Sequence, residues 1–141
     1  MMDISTIDLF NEIEADVKEE IIKNCSDQKF SKDSMVFQKG ETANCLYILE
    51  EGKINLIIKN DNVTMYSLTK PGEVFGWSSI VDKGVYSASC LCITDIKVKS
   101  IKKDKIDDIF NRYPKAAVTI FRHLGSIFSK RMTNAFLNQK K

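Results

Sequence analysis

The stretch from Pro71 to Ala88, PGEVFGWSSIVDKGVYSA, predicts the feature around which the rest of the chain is arranged. It reads as a turn and a short strand, after which Gly76 leads into a helical turn that carries small hydroxyl residues. Glycine allows a close approach of the backbone, and the first amides of a helical turn have no partners within the helix. Such amides bind anions well, phosphate above all. The stretch therefore predicts an anion cradle, formed by the amides of residues 76–79 and by Ser87.

The residues around this stretch form short apolar runs that turn residues separate, a pattern typical of an all-β unit. Ile54, Leu56 and Ile58 alternate as a half-buried strand does, and a tight hairpin is predicted at Lys59–Asn62. Residues 86–101 are long enough for two strands with a break near Thr94. About eight strands at this spacing predict a jelly roll or barrel over residues 28–102.

Helical patterns flank the predicted strands on both sides. An N-terminal helical segment is predicted over residues 6–27, with its apolar positions on helical spacing between Glu14 and Asn24. Residues 103–141 predict two further helices, because Pro114 ends the first and suits the first turn of the second. The whole chain, residues 1–141, is thus predicted to be a single domain that is mainly β with flanking helices.

The last helix carries a broad apolar stripe that extends to about Phe136. This stripe is wider than one packing seam requires, and it predicts a homodimer that forms through residues 114–136. The alternative is a helix that lies wholly on its own barrel. The residues of the stripe are Ala117, Ile120, Phe121, Leu124, Ile127, Phe128, Met132 and Ala135.

Composition narrows the class of protein. The 141 residues are 43% hydrophobic and 28% charged with a formal charge of +2, which is typical of a globular domain and too small a charge to indicate nucleic acid. The sequence begins with no secretory signal and has no apolar run of membrane-spanning length, so a cytoplasmic protein with no membrane contact is expected.

The four cysteines form no C-x-x-C pair, and Cys90 and Cys92 are expected to be buried apolar residues. His123 is the only histidine, so neither a metal site nor an enzyme is predicted.

Five segments together resemble the cyclic nucleotide-binding domain family, the sensor half of catabolite activator and FNR-type (Crp/Fnr) regulators. The resemblance covers about residues 6–137, and it implies a β jelly roll followed by two helices, of which the second is often the dimer interface. The segments are MVFQKGE at 35–41, LYILEEG at 46–52, PGEVFG at 71–76, Ser87–Ala88 and Tyr113–Pro114.

The family resemblance also implies a phosphate-binding cassette, from which this chain departs at two positions. In the family a glutamate holds the ribose 2′-hydroxyl and an arginine pairs with the cyclic phosphate; here those positions are Trp77 and Tyr86. Each such buried charge-assisted contact contributes roughly 1.5–3 kcal/mol. The two losses together predict that the affinity for an ordinary cyclic nucleotide is lower by on the order of a hundredfold or more.

Two functional hypotheses remain open. In the first, the domain senses a small anionic or nucleotide-like ligand, such as a cyclic nucleotide or another phosphate-bearing molecule. Trp77 and Tyr86 would then stack on the ligand and donate their N–H and O–H groups, and the last helix would signal to an unknown downstream protein. The residues predicted to bind this ligand are Phe75, Gly76, Trp77, Ser78, Ser79, Tyr86, Ser87 and Ala88.

In the second hypothesis the two aromatic side chains fill the pocket, and the domain is a ligand-free dimerisation scaffold. A third possibility is the sensor half of a Crp/Fnr-type regulator without its DNA-binding domain. The chain ends at Lys141, soon after the last helix, so no direct DNA binding is expected.

Overall fold

The computed structural model describes residues 3–57, 64–81 and 84–139. Eight strands lie in these ranges: β1 (Cys25–Phe30), β2 (Met35–Phe37), β3 (Cys45–Glu51), β4 (Ile54–Ile57), β5 (Thr64–Leu68), β6 (Val74–Phe75), β7 (Ser89–Cys92) and β8 (Ile96–Lys102). They form two four-stranded antiparallel sheets, with the orders β1-β8-β3-β6 and β2-β7-β4-β5. The predicted hairpin at Lys59–Asn62 lies outside the described residues.

Helices lie at both ends of the described chain. Two short 3₁₀ helices, Ile4–Thr6 and Asp8–Phe10, come before α1, and α2 is a single turn between β6 and β7. The prediction of a mainly β jelly roll with an N-terminal helix and two C-terminal helices is confirmed. The α-helices are α1 (Ala15–Lys23), α2 (Ser78–Val81), α3 (Lys103–Arg112) and α4 (Pro114–Gln139).

The boundary between α1 and β1 differs from the prediction that helix continues to residue 27. The amide of Asn24 donates to Ile21 O at 3.1 Å and its side chain donates to Glu20 O at 2.8 Å, which ends the helix. Cys25 then pairs with Ile101 of β8. Residues 26–29 of β1 are all exposed, so this outer strand lacks the apolar alternation by which strands are recognised in a sequence.

The central strand β3 separates two hydrophobic cores. Its Leu46 and Ile48 face a cluster formed with the helices, whereas Tyr47 and Leu49 face the cluster between the two sheets. Because successive side chains of a strand point to opposite faces, a strand that is apolar on both faces can join two cores. This arrangement fixes β6, the next strand of the sheet and the start of the 71–88 stretch, against β3.

Candidate functional site

Gly76 holds the start of the predicted cradle against β3. Its φ is +80°, and a Cβ at this position would lie 3.1 Å from Cys45 O and 3.1 Å from Tyr47 Cδ2. Glycine is therefore required by the approach of the protein's own strand. The sequence predicted that another group approaches the backbone closely at Gly76. In the structure this group is strand β3.

The turn of α2 provides the amides and hydroxyl groups of the cradle. Ser79 is fully buried, and its Oγ donates to Gly76 O at 2.9 Å. Among the described residues, no acceptor is found for the backbone N–H groups of Trp77 and Ser78. The Ser78 and Ser87 hydroxyl oxygens lie 3.3 Å apart, which places two polar groups together at the surface of the turn.

Tyr86 is held tightly by the jelly roll. Its ring stacks on Phe37 with 3.8 Å between the ring centroids, and its hydroxyl donates to Cys45 O at 2.8 Å and accepts from Cys45 N at 3.2 Å. Burial raises the pKa of this phenol. The O–H group that was predicted to donate to a ligand thus donates to β3.

Trp77 is held in a similar way. Its indole Nε1–H donates to Val74 O at 3.1 Å, and its ring meets Phe128 of α4 edge-on with 5.7 Å between centroids. The guanidinium of Arg131 lies over the same ring, 4.9 Å from its centroid. The indole N–H therefore forms a hydrogen bond within the fold, and the ring contacts Phe128 and Arg131 of α4.

A cavity of about 370 Å³ lies between this turn and α4. Six of the eight predicted site residues line it, and Phe75 and Ser79 do not, because both are fully buried behind it. A volume of this size suits a small organic ligand. The lining residues are Phe37, Leu56, Tyr66, Gly76, Trp77, Ser78, Tyr86, Ser87, Ala88, Phe121, Leu124, Gly125, Phe128, Arg131 and Met132.

One wall of the cavity is formed by α4, which sequence reasoning did not assign to the site. Its most unusual member is Arg131, which is only 8% exposed and donates from Nη2 to Val74 O at 2.7 Å. Desolvation by burial lowers the pKa of this guanidinium. A signal was present in the sequence, because Arg131 follows Leu124 by seven residues and so lies on the same face of the helix.

The apolar stripe of α4 divides into two adjacent faces. Ile120 and Leu124 are buried against the rest of the domain. A second face, which we call the outer face, is 39–51% exposed, and its members follow one another at intervals of three, seven and four residues. Its large apolar members are Val118, Phe121, Phe128 and Met132.

Comparison with known proteins identifies the family. The model of the cyclic nucleotide-binding domain matches residues 27–113. The chain belongs to the cyclic nucleotide-binding domain family. The predicted resemblance to this family is thereby confirmed.

The relatives include a channel and a receptor protein. The chain is 27% identical over 119 residues to the cyclic nucleotide-gated channel alpha-4 of Mus musculus, with 80% of this chain and 20% of that protein aligned. It is 27% identical over 105 residues to the cyclic AMP receptor protein of Thermus thermophilus, with 72% of this chain and 46% of that protein aligned. The chain thus spans a fifth of the channel and just under half of the receptor.

A solved structure shows the same fold. The crystal structure of a cyclic nucleotide-binding domain from Methylobacillus flagellatus matches with a TM-score of 0.80 at 17% identity, covering 96% of this chain and 77% of that one. Against this family fold, Trp77 and Tyr86 stand at the positions where the resemblance places the family's glutamate and arginine. The structure shows both side chains bonded to the jelly roll backbone.

Two cysteines and the histidine, which could act as reactive groups, are buried or hydrogen-bonded within the fold. Cys90 and Cys92 are fully buried as expected, and burial raises the pKa of both thiols. His123 Nδ1 lies 3.0 Å from Leu9 O, so this histidine joins α4 to the N-terminal segment. In the described ranges no group of three metal-ligating side chains could hold an ion. None of the helices described there combines the length and the apolarity that a membrane crossing requires.

Proposed function

We propose that this domain senses a small anionic or nucleotide-like molecule that binds in the cavity between the 75–88 segment and α4. The observation that carries the proposal is the position of the cavity, which the 75–88 segment and α4 line together. A ligand there contacts both walls at once. It shifts the population of α4 positions if it binds one of them more tightly than the others.

The ligand class follows from the family and from the two replaced positions. The relatives are named for cyclic nucleotides, which supports a phosphate-bearing ligand. Trp77 and Tyr86 bring no charge and donate to Val74 O and Cys45 O, so an ordinary cyclic nucleotide lacks two of the family's contacts. We therefore propose a ligand of similar size that relies on the amides of 77–78, on the hydroxyls of Ser78 and Ser87 and on stacking.

The signal leaves the domain through α4. The outer face exposes Val118, Phe121, Phe128 and Met132 at coiled-coil spacing, which supports a homodimer of α4 helices. Phe121, Phe128 and Met132 also line the cavity, so a ligand and a second chain compete for, or share, the same side chains. We place this module in the cytoplasm, without catalysis, acting on a downstream protein.

Ligand binding is tested by a thermal-shift panel of cyclic mono- and dinucleotides, linear nucleotides and small phosphorylated or carboxylated metabolites. A ligand at a hundred times its Kd adds about 2.7 kcal/mol, enough for a shift of several degrees in a domain of this size. Ser87→Leu puts an apolar side chain into the cavity wall and should abolish the shift. Ser129→Leu, at an exposed position of α4 away from the cavity, should keep it. If no compound of the panel raises the melting temperature, the proposal is contradicted.

The dimer is tested separately by sedimentation. Val118→Asp places a charge on the outer face at a residue that does not line the cavity, and it should shift the protein towards monomer. Met35→Asp alters another exposed apolar side chain, on β2, and should leave the association unchanged. A wild-type chain that sediments as a monomer at high concentration would rule out the homodimer.

One observation favours a second candidate, the ligand-free scaffold. The polar atoms of Trp77 and Tyr86 are engaged with Val74 O and Cys45 O, and the Tyr86 ring is stacked on Phe37. A dimer that forms normally while no ligand in the panel binds would favour this candidate. The third possibility is a sensor half within a Crp/Fnr-type regulator. The length of the native gene product decides whether this possibility holds.

A further inference from the structure

Arg131 carries a charge that is buried beside the cavity. It is the only Asp, Glu, Lys or Arg side chain in the described residues that is buried, and its guanidinium carbon lies 4.9 Å from the Trp77 ring centroid and 5.5 Å from that of Tyr66. Both aromatic side chains line the cavity with it. Burial of a charge without an opposite charge is costly, so such a group indicates a function or a missing partner.

The described residues offer Arg131 no carboxylate. Within them no acidic oxygen lies within 4.0 Å of its guanidinium, and Glu73, whose charge acts on it from farther away, accepts instead from the amides of Thr69 and Lys70 at 3.0 Å each. One donor of Arg131 is used by Val74 O. A guanidinium has five N–H donors, and no fully enclosed side-chain nitrogen in the described residues lacks a partner, so any guanidinium nitrogen without a hydrogen bond reaches accessible space.

We propose that Arg131 is the anion-binding residue of the cavity, and that it pairs with a single negative charge on a ligand with a flat, apolar body. This inference rests on the proposed function, because it requires that a ligand enters this cavity. Arg131 is the only side chain with a full charge among the cavity-lining residues that the structure describes, and most of the others are aromatic or aliphatic. One guanidinium in such surroundings matches a cyclic phosphodiester or a carboxylate better than a dianionic phosphate monoester.

The position of this charge changes how binding is read out. The family's arginine, at the position of Tyr86, would belong to the jelly roll, whereas Arg131 belongs to α4. The ligand's charge is therefore bound by the helix that signals. A charged ligand holds α4 over the cavity, while an uncharged analogue of the same shape fills the cavity without that contact.

Trp77 is the only tryptophan of the chain and lies directly beneath Arg131, so its fluorescence reports on this site. Quenching by iodide, an anion, is compared with quenching by acrylamide, which is neutral, in wild type, Arg131→Gln and Arg122→Gln. Arg122 is an exposed arginine of the same helix and gives the same change of net charge. We expect the iodide-to-acrylamide quenching ratio to fall severalfold in Arg131→Gln and to stay unchanged in Arg122→Gln, because a buried cation concentrates anions near the ring. Equal ratios in all three proteins would overturn the inference.

A second measurement uses cAMP, which carries one negative charge, and adenosine, which carries none. Arg131→Gln should weaken cAMP binding by about 10- to 150-fold and leave adenosine binding unchanged, with Arg131→Lys in between. The variant should fold, because Val74 O keeps its bond from Trp77 Nε1. Equal cAMP affinity in wild type and Arg131→Gln would overturn the role of Arg131 and leave the proposed function standing. If neither probe binds the wild-type protein, the quenching ratio decides the role of Arg131, and the thermal-shift panel decides the proposed function.

Discussion

The two walls of the cavity differ in how they are held. On the 75–88 wall, Trp77, Ser79 and Tyr86 each donate to a backbone carbonyl of the jelly roll or of the turn itself. On the α4 wall, the large apolar residues of the outer face are 39–51% exposed, and one hydrogen bond from Arg131 to Val74 O reaches across. The site therefore combines a wall held by hydrogen bonds to the jelly roll with a wall held mainly by apolar packing of α4. Substitutions in the first should reduce stability, whereas those in the second should change assembly and ligand response.

The largest effect is expected for Gly76→Ala in the 75–88 wall. A φ of +80° costs a non-glycine residue roughly 1–2 kcal/mol, and contacts of 3.1 Å with Cys45 O and Tyr47 add strain, so about 2–3 kcal/mol of unfolding free energy should be lost. Urea denaturation measures this loss. Gly40→Ala is the matched control, since its φ is +91° with nothing within 4 Å of the added Cβ. Equal losses in the two variants would show that the contact with β3 has no energetic weight.

Tyr86→Phe removes the hydroxyl that joins the 75–88 wall to β3. The N–H and C=O of Cys45 both lose a partner, so the expected loss of stability is about 1–3 kcal/mol, seen as a Tm lower by several degrees. Tyr113→Phe serves as control, because the Tyr113 hydroxyl makes no hydrogen bond within the described residues. An unchanged Tm in Tyr86→Phe would show that the wall is less firmly held than its geometry indicates.

Alkaline pH should weaken the same wall. Burial raises the pKa of Tyr86, and of Tyr47 beside it, above the ordinary tyrosine value near 10. Below about pH 10 both the folded and the unfolded state keep these protons, so stability is independent of them; at higher pH the unfolded state loses its protons first and stability falls. Urea midpoints between pH 8 and 11 measure the fall, which should be shallower in Tyr86→Phe. Identical slopes in the two proteins would exclude Tyr86 as the cause.

The smallest effect, of opposite sign, is expected for Gly125→Ala in the α4 wall. A Cβ there meets nothing within 4 Å, and alanine favours a helix over glycine by about 0.5–1 kcal/mol, so the stability of the monomer should rise. The measurement is again urea denaturation, at a concentration where the chain is monomeric. A loss of stability that occurs only at high protein concentration would indicate that a second chain approaches α4 closely at this residue.

The sequence was informative wherever a local pattern decided the structure. Strands such as β8 alternate buried and exposed residues, and α3 and α4 follow helical spacing around Pro114, so these elements were predicted close to their true bounds. The first half of β1, residues 25–27, was assigned to the helical segment because its exposed side chains give no such pattern. Its existence depends on pairing with β8, which is distant in the sequence.

The candidate site also has features that a local pattern predicted and features that depend on distant contacts. The turn at residues 76–88 was predicted from its own residues and from the family pattern, and six of the eight predicted site residues line the cavity. The bonding of Trp77 and Tyr86 was not predicted, because Tyr86 reaches a partner 41 residues away that only the sheet brings close. Arg131 was missed for the same reason, since it contacts Val74, 57 residues earlier in the chain.

The exposed outer strand β1 also bears on how copies of this protein meet. Asp27 and Lys29 stand on a sheet edge that has no further strand among the described residues, and Asp27 forms an ion pair with Lys99 of β8. Charged side chains on an open edge oppose the addition of a strand from another chain, which is the usual first step of β-aggregation. The edge thus protects the sheet from uncontrolled association, and the homodimer that we propose would form elsewhere, through the outer face of α4.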